Sequence, residues 1–242
     1  MEEQHIVSFS GGKDSTAMLL YMLENGMRVD RIINVDTTKE FPEMYDHIQK
    51  VEKYIGRKIE TVKIDFDYWM YKHIKTRGPR KGEKGYGWPK ALFRWCTSLK
   101  VEAMSHLLAG VPYDPHKRGK WKDPLPFKPI EYVGLAADEE KRLALKREKD
   151  NLVFPLADIG ITESDALQFC YDRGFDWGGL YENMSRVSCY LCPLQPMRSL
   201  EAVYRTHPEL WQKMKASDKF SYRQFRANYS LDELEEKFRK GK

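Results

Sequence analysis

The sequence predicts an α/β protein built on a doubly wound, mostly parallel sheet, with a helical C-terminal extension. Three observations predict it. Short β-prone runs alternate with segments of helical apolar spacing. The first run, Ile6-Val7-Ser8-Phe9, passes through Ser10-Gly11-Gly12-Lys13-Asp14-Ser15 straight into an apolar helical segment. From Leu200 onward the pattern is helical and polar, without strands.

Each element follows in order. Residues 16–23 read as the first helix, and Arg31 to Asp36 as the second strand. Between Phe41 and Gly56, Met44, Ile48, Val51 and Ile55 repeat at helical spacing. Ile59 to Ile64 alternates as a third strand. Residues 75–90, rich in Gly and Lys, read as a mobile loop, and Leu92 to Leu108 as mostly helix. Five prolines make 110–129 irregular. Tyr132 to Ala136 reads as the fourth strand, Glu139 to Lys149 as a charged helix, and Leu152 to Leu156 as extended. Thr162 with Asp165, and Ser230 with Glu233, form capping-box patterns before helices. His207, before Pro208, is expected to cap a helix. The division expected is an α/β domain over 1–198 and a helical extension over 199–242.

Composition narrows the function classes. The chain has 242 residues and a net charge of +5, and no run approaches the length of a membrane span. Four cysteines do not form a secreted disulfide framework, and the first residues are no signal peptide, so a cytoplasmic protein is expected. The basicity is local. Segments 72–90 and 116–128 carry twelve basic residues against Glu83 and Asp123. Interleaved with them are Trp69, Tyr71, Tyr86, Trp88, Trp95 and Trp121, so these loops are candidates for binding nucleic acid or a phosphorylated substrate.

The glycine turn carries the most chemistry. A strand that ends in a turn opening a helix presents unpaired N–H groups and the positive end of the helix dipole, which favour phosphate. Gly11 and Gly12 permit close backbone approach, Lys13 adds a charge, and Ser10 and Ser15 add hydroxyls. The spacing differs from G-x-x-x-x-G-K-[ST] and resembles the PP-loop of the ATP pyrophosphatases. Asp36-Thr37-Thr38-Lys39-Glu40-Phe41-Pro42-Glu43 after the second strand, Arg94-Trp95-Cys96-Thr97-Ser98-Leu99-Lys100, Gly134 to Arg142, and Tyr181-Glu182-Asn183 with Cys189-Tyr190-Leu191-Cys192-Pro193 resemble, in order, segments of the phosphoadenosine-phosphosulfate reductase family. Ala136 stands where that family usually has Arg.

The resemblance implies an adenine-nucleotide α-hydrolase-like fold and an adenosine nucleotide, ATP or an adenosine phosphosulfate. It implies that Ser10, Gly11, Gly12, Lys13, Asp14 and Ser15 hold its phosphates and that Asp36 and Thr37 contact the nucleoside. Asp14, which would repel phosphate, is expected to bind Mg²⁺ or order the loop. Lys100 and Arg142 would neutralise developing charge beside Lys13 and Asp14. Cys189-x-x-Cys192 suits zinc, iron–sulfur or a redox pair, and Cys96 lies 93 positions earlier. The three cysteines resemble the ligand set of tRNA thiolation enzymes, which join a PP-loop to a three-cysteine 4Fe–4S cluster; zinc is the alternative. Cys170 reads as a buried structural thiol. Reductases of the family use a cysteine in a C-terminal tail, whereas this tail reads Phe238-Arg239-Lys240-Gly241-Lys242. The favoured activity is ATP-dependent adenylation coupled to sulfur transfer onto a nucleic-acid or small-molecule acceptor. Sulfonucleotide reduction with a non-standard thiol donor, and a non-catalytic nucleotide-binding module with a structural metal, are the alternatives. The sequence leaves oligomeric state open.

Overall fold

The computed structural model describes residues 1–146, 148 and 150–241. Five parallel strands form one sheet in the order β3-β2-β1-β4-β5. They are β1 (Glu3–Ser8), β2 (Arg31–Asp36), β3 (Glu60–Lys63), β4 (Lys128–Val133) and β5 (Leu152–Val153). Between them run α1 (Lys13–Glu24), α2 (Pro42–Ile55), α3 (Trp95–Leu108) and α4 (Glu140–Ala144). After β5 come α5 (Pro155–Asp158), α6 (Glu163–Tyr171), α7 (Leu180–Asn183), α8 (Met197–Thr206), α9 (Pro208–Asp218) and α10 (Leu231–Arg239). Chain order reverses between β1 and β4, so the crevice at their carboxyl ends is the topological switch point where such sheets bind ligands. No helix among the described residues is long and apolar enough to cross a membrane.

Helix α1 lies under the sheet because its apolar residues leave no polar face. Ala17, Met18, Leu19, Leu20 and Met22 are all buried. It packs against α6, and both capping boxes expected from sequence form, Thr162 with Asp165 at α6 and Ser230 with Glu233 at α10. The helices past Met197 are more than a polar appendage. Leu200, Val203, Trp211, Met214, Leu234 and Phe238 are buried and belong to the same apolar core as α1 and β1.

Five elements differ from expectation. Of the run 152–156 only Leu152–Val153 is strand, because Pro155 opens α5 at a position that suits its fixed φ. β4 ends at Val133 because the Leu135 amide turns back onto the Val133 carbonyl at 2.9 Å. The charged helix stops at Ala144, since the Glu131 amide draws the Asn151 carbonyl into the sheet at 2.8 Å; Arg147 and Lys149 lie outside the described residues. α3 begins at Trp95 rather than Leu92, because Lys90 and Phe93 bond to each other in a tight turn. The 75–90 loop is tied down. The Tyr86 amide bonds the Trp69 carbonyl at 2.8 Å, and buried Trp88 donates its indole N–H to Asp218 at 2.6 Å.

Candidate functional site

The glycine turn joins β1 to α1 at the switch point. Gly11 adopts φ +78°, a conformation that favours glycine, and a Cβ there would lie 2.6 Å from the Met44 sulfur. Its carbonyl is fixed by the Trp177 indole N–H at 2.7 Å. Ser15 turns its hydroxyl inward, donating to the Gly12 carbonyl at 3.0 Å, with Ser10 Oγ 3.1 Å away. Ser10 itself is exposed. The Lys13 amide donates to the Tyr181 hydroxyl at 2.9 Å. From the other side Gly134 presses on the first turn of α1: a Cβ there would lie 2.8 Å from backbone atoms of Asp14 and Ser15.

Lys13 is only 3 % exposed. Its ammonium bonds Asp14 Oδ1 at 2.9 Å and lies 3.4 Å from Glu163 Oε1. Among the described residues, Asp14, Glu139 and Glu163 alone bring three potential metal-ligand atoms within 4.8 Å of one another. Burial pushes the Asp14 carboxyl up, Lys13 pulls it down, and the two glutamates push it up again; the net shift is upward. Arg142 pairs with Glu139 and so joins this carboxylate group at one remove.

Beside the turn a cleft of 440 Å³ opens over the sheet, lined by Ser10, Ile33, Asn34, Lys100, Glu131 and Leu152 among others. Its volume falls within the range of small-ligand sites, about 300–1,000 Å³. Asp36 and Thr37 face elsewhere. Asp36 accepts from the Thr38 amide at 2.6 Å and from the Tyr45 hydroxyl at 3.0 Å. Thr37 Oγ1 donates to Glu40 at 2.8 Å and lies 3.1 Å from Cys189 Sγ. Thr38, β-branched, holds φ +62°, a strained position between β2 and α2.

The cysteines gather around Glu40 and Lys100. Cys189 Sγ donates to Glu40 Oε1 at 3.2 Å, and Lys100 Nζ is 3.8 Å from the same oxygen. The Cys192 amide bonds the Cys189 carbonyl at 3.0 Å, closing the C-x-x-C turn. Burial pushes the Cys96 thiol up, and the neighbouring Cys192 adds to it. Cys189 is raised well above an ordinary thiol by burial and by Glu40. Burial alone would lower Lys100, yet Cys189, Glu40, Cys96 and Asp36 outweigh it and raise its pKa. Thus Cys96 meets the C-x-x-C turn across one lysine, despite their separation in sequence.

At least one sulfur pair of the three is farther apart than 4.8 Å. Thiolates around a single zinc at about 2.3 Å would lie about 3.8 Å apart. A multi-iron cluster takes thiolates on separate irons, and so farther apart. The three thiols thus share a neighbourhood with one lysine, whose charge would offset that of thiolates. Cys170 is apart from them: fully buried, its Sγ is 3.6 Å from the Lys13 carbonyl, and burial pushes it up to about 12.

Sequence reasoning gave no role to Glu40, Glu139 or Tyr181, though all three stand inside the quoted segments. Glu163 and Trp177 had no signal beyond a helix start and an aromatic. His207 is the N-cap residue of α9, as expected, its carbonyl accepting from the Leu210 and Trp211 amides at 3.0 Å; its side chain makes no capping bond and instead bridges Thr206 to Glu43 of α2 at 2.8 and 3.0 Å.

A glycine turn at the switch point of a parallel sheet, opening a buried helix beside a ligand-sized cleft, defines the PP-loop class of α/β proteins. The sequence pattern of the phosphoadenosine phosphosulfate reductase domain matches residues 4–195, and the chain belongs to that family. Membership carries the adenine-nucleotide α-hydrolase-like fold. An uncharacterized protein of Methanocaldococcus jannaschii is 27% identical over 223 residues. That match takes in 86% of this chain but 40% of the relative, so the chain spans well under half of that protein's length. The structure resembles the U34-tRNA thiolase NcsA of Methanococcus maripaludis with its 4Fe–4S cluster, at 14% identity and a TM-score of 0.44, covering 90% of this chain and 71% of that one. It also resembles a predicted subunit of a tRNA methyltransferase from Methanocaldococcus jannaschii, at 15% identity and a TM-score of 0.33, covering 72% of this chain and 89% of that one.

Proposed function

We propose that the protein is a PP-loop sulfurtransferase: it adenylates an acceptor oxygen with ATP and replaces that oxygen with sulfur. The observation that carries this reading is the gathering of three thiols around Lys100, a residue that also lines the cleft beside the glycine turn. In the first step the acceptor oxygen attacks the α-phosphorus of ATP and pyrophosphate leaves. In the second, a hydrosulfide sulfur attacks the activated carbon and AMP leaves with the oxygen. Ser10, Gly11, Gly12 and Ser15 would cradle phosphate, and Lys13 would exchange Glu163 for a phosphate oxygen. Asp14, with Glu139 and Glu163, would take Mg²⁺. Arg142 and Lys100 would offset charge on the leaving groups.

Cys96, Cys189 and Cys192 would hold a 4Fe–4S cluster, a reading supported by their common neighbourhood and the adjacent Lys100 cation. Bound there, the cluster would supply an iron with an open position able to carry sulfur. Glu40 and Thr37 would orient Cys189. A nucleic-acid acceptor is favoured over a small molecule by the cationic, aromatic flank described below.

The test measures AMP and pyrophosphate from ATP with sulfide and total RNA, using anaerobically prepared protein. RNA-dependent pyrophosphate release with sulfur incorporated into RNA is expected. Thioredoxin-dependent release of sulfite from phosphoadenosine phosphosulfate, without ATP turnover, would overturn the reading in favour of the sulfonucleotide reductase.

A further inference from the structure

We infer that a second pocket, between the 72–90 loop and residues 219–229, binds an unpaired, phosphate-flanked nucleobase of single-stranded nucleic acid. This inference rests on the nucleic-acid acceptor reading and gives it a docking point. The pocket holds 620 Å³ and lies well away from the glycine turn in composition: none of its lining residues belongs to that turn or to the cleft. Four cations and two exposed aromatic rings carry the argument. Lys75 Nζ stands 3.9 Å and the Arg80 guanidinium 3.7 Å from the Tyr222 ring centre. Arg223 lies 5.1 Å from Tyr222 and 5.2 Å from Phe93. Arg118 lines the opposite side.

Acidic neighbours leave a surplus of positive charge. Glu83 pairs with both Lys75 and Arg80, and Glu102 pairs with Arg118. Among the described residues Arg223 has no ion-pair partner, and its buried Nη1 has no hydrogen-bond partner. A buried guanidinium N–H left unsatisfied is costly, and a phosphate oxygen is the acceptor that suits it. Lys75 and Arg80 already cover part of the Tyr222 ring, so a base would stack on Phe93 or on what they leave open of Tyr222, or displace the Arg80 guanidinium; each mode is open only to an unstacked base. The segments that supply the pocket's walls also carry the exposed Lys81, Lys84, Lys90, Lys117 and Lys120, further cations of the kind a polyanion engages.

The pocket is built, not incidental. Trp88 bonds Ser221 through its amide and Asp218 through its indole, at 3.2 and 2.6 Å, and packs edge-on against Phe225. A Cβ on Gly87 would lie 2.9 Å from Ser221 Oγ, so glycine lets the two segments meet. The segments that wall the pocket are also linked to those that carry the thiols. Phe93 stands three residues before Cys96, and Arg226 donates to the Gln195 carbonyl at 2.7 Å while Gln195 donates to the Cys189 carbonyl at 3.0 Å.

The test is fluorescence anisotropy with a labelled RNA strand of about 12 nucleotides, within the size range of single-strand sites. The same strand in a duplex, and AMP as competitor, serve as the other arms. Tyr222→Ala should weaken single-strand binding about tenfold or more, with Tyr222→Phe retaining it. Arg223→Gln should lower the slope of log affinity against log salt by about 0.7. ATP binding and thermal midpoint of each variant are measured alongside, to show that the fold persists. Strand binding that both variants leave unchanged would overturn the pocket and leave the acceptor reading standing. Equal affinity for the duplex, or displacement by AMP at the strand's own affinity, would overturn the single-strand assignment. Absence of strand binding at low salt by wild-type protein that binds ATP would overturn the nucleic-acid acceptor reading itself.

Discussion

At the scale of single residues, Lys13 has two competing claims on its charge. Buried between Asp14 and Glu163, it stabilises a trio of carboxylates that would otherwise repel one another. Facing nucleotide, it would contribute a charge-assisted contact of about 1.5–3 kcal/mol. Lys13→Ala is therefore expected to weaken ATP binding roughly 10- to 100-fold by calorimetric titration; equal affinity would place the phosphates elsewhere. The cysteines divide as sharply. Cys96→Ala should remove bound iron and the broad absorption near ~400 nm of a thiolate-ligated cluster after anaerobic reconstitution. Cys170→Ala should keep both and lower stability only, since that thiol touches the Lys13 carbonyl and apolar neighbours. The turn's residues were legible because a strand, two glycines and a helix leave little choice of geometry. The bonds that hold Asp36 and Thr37 were not legible, because the Thr38 amide and Tyr45 hydroxyl that bond Asp36, and the Glu40 that accepts from Thr37, have no sequence signature.

At the scale of elements, α1 is held in place from three directions, and two of them invite measurement. His47 of α2 accepts or donates across to Thr16 of α1 at 2.9 Å, stacks on Trp177, and has an Nδ1 without partner. Burial lowers its pKa to about 3. The unfolded chain, with His near 6.5, thus binds the extra proton first as pH falls. Stability should be unaffected by this group above pH 6.5 and decline by about 1.4 kcal/mol per pH unit from there down to about pH 3. Denaturant melts of wild type and His47→Gln between pH 7 and 4 should show a shallower acid decline in the variant. Gly134 is the second direction. An alanine there meets backbone rather than a side chain that could swing away, so Gly134→Ala should cost about 1–3 kcal/mol in a denaturant melt. An unchanged midpoint would mean that α1 can withdraw from β4 freely. Strand positions were readable from alternation, while their ends were not. β4 ends where a local turn at Val133–Leu135 takes its carbonyl, and α4 where the backbone must rejoin the sheet at Asn151; neither is marked by alternation or helical spacing.

At the scale of the whole molecule, residues 200–238 looked polar because their helices alternate buried and exposed faces over short lengths. Their apolar residues nonetheless complete one core with α1 and the sheet. Trp211→Ala should cost about 3–5 kcal/mol, and unfolding followed by far-ultraviolet dichroism and by tryptophan fluorescence should keep a single, coincident midpoint. Two separated transitions would show that the C-terminal helices melt on their own. The net charge of +5 likewise conceals an asymmetry: the cations gather in segments 72–90 and 116–128, while Asp14, Glu139 and Glu163 crowd together at the start of α1.

The lock between Trp88 and residues 218–225 has a consequence in time. Its partners lie 130 and 133 residues downstream. As the chain leaves the ribosome, the sheet through β5 and the glycine turn can be assembled while the basic loop still lacks its closing wall. The same late segment, through Arg226 and Gln195, braces the turn that carries Cys189. Nascent chains would therefore acquire the cleft beside the glycine turn early and the braced thiol turn late. If the thiols hold a cluster as proposed, iron offered before residues 218–226 emerge would meet a turn still without its brace.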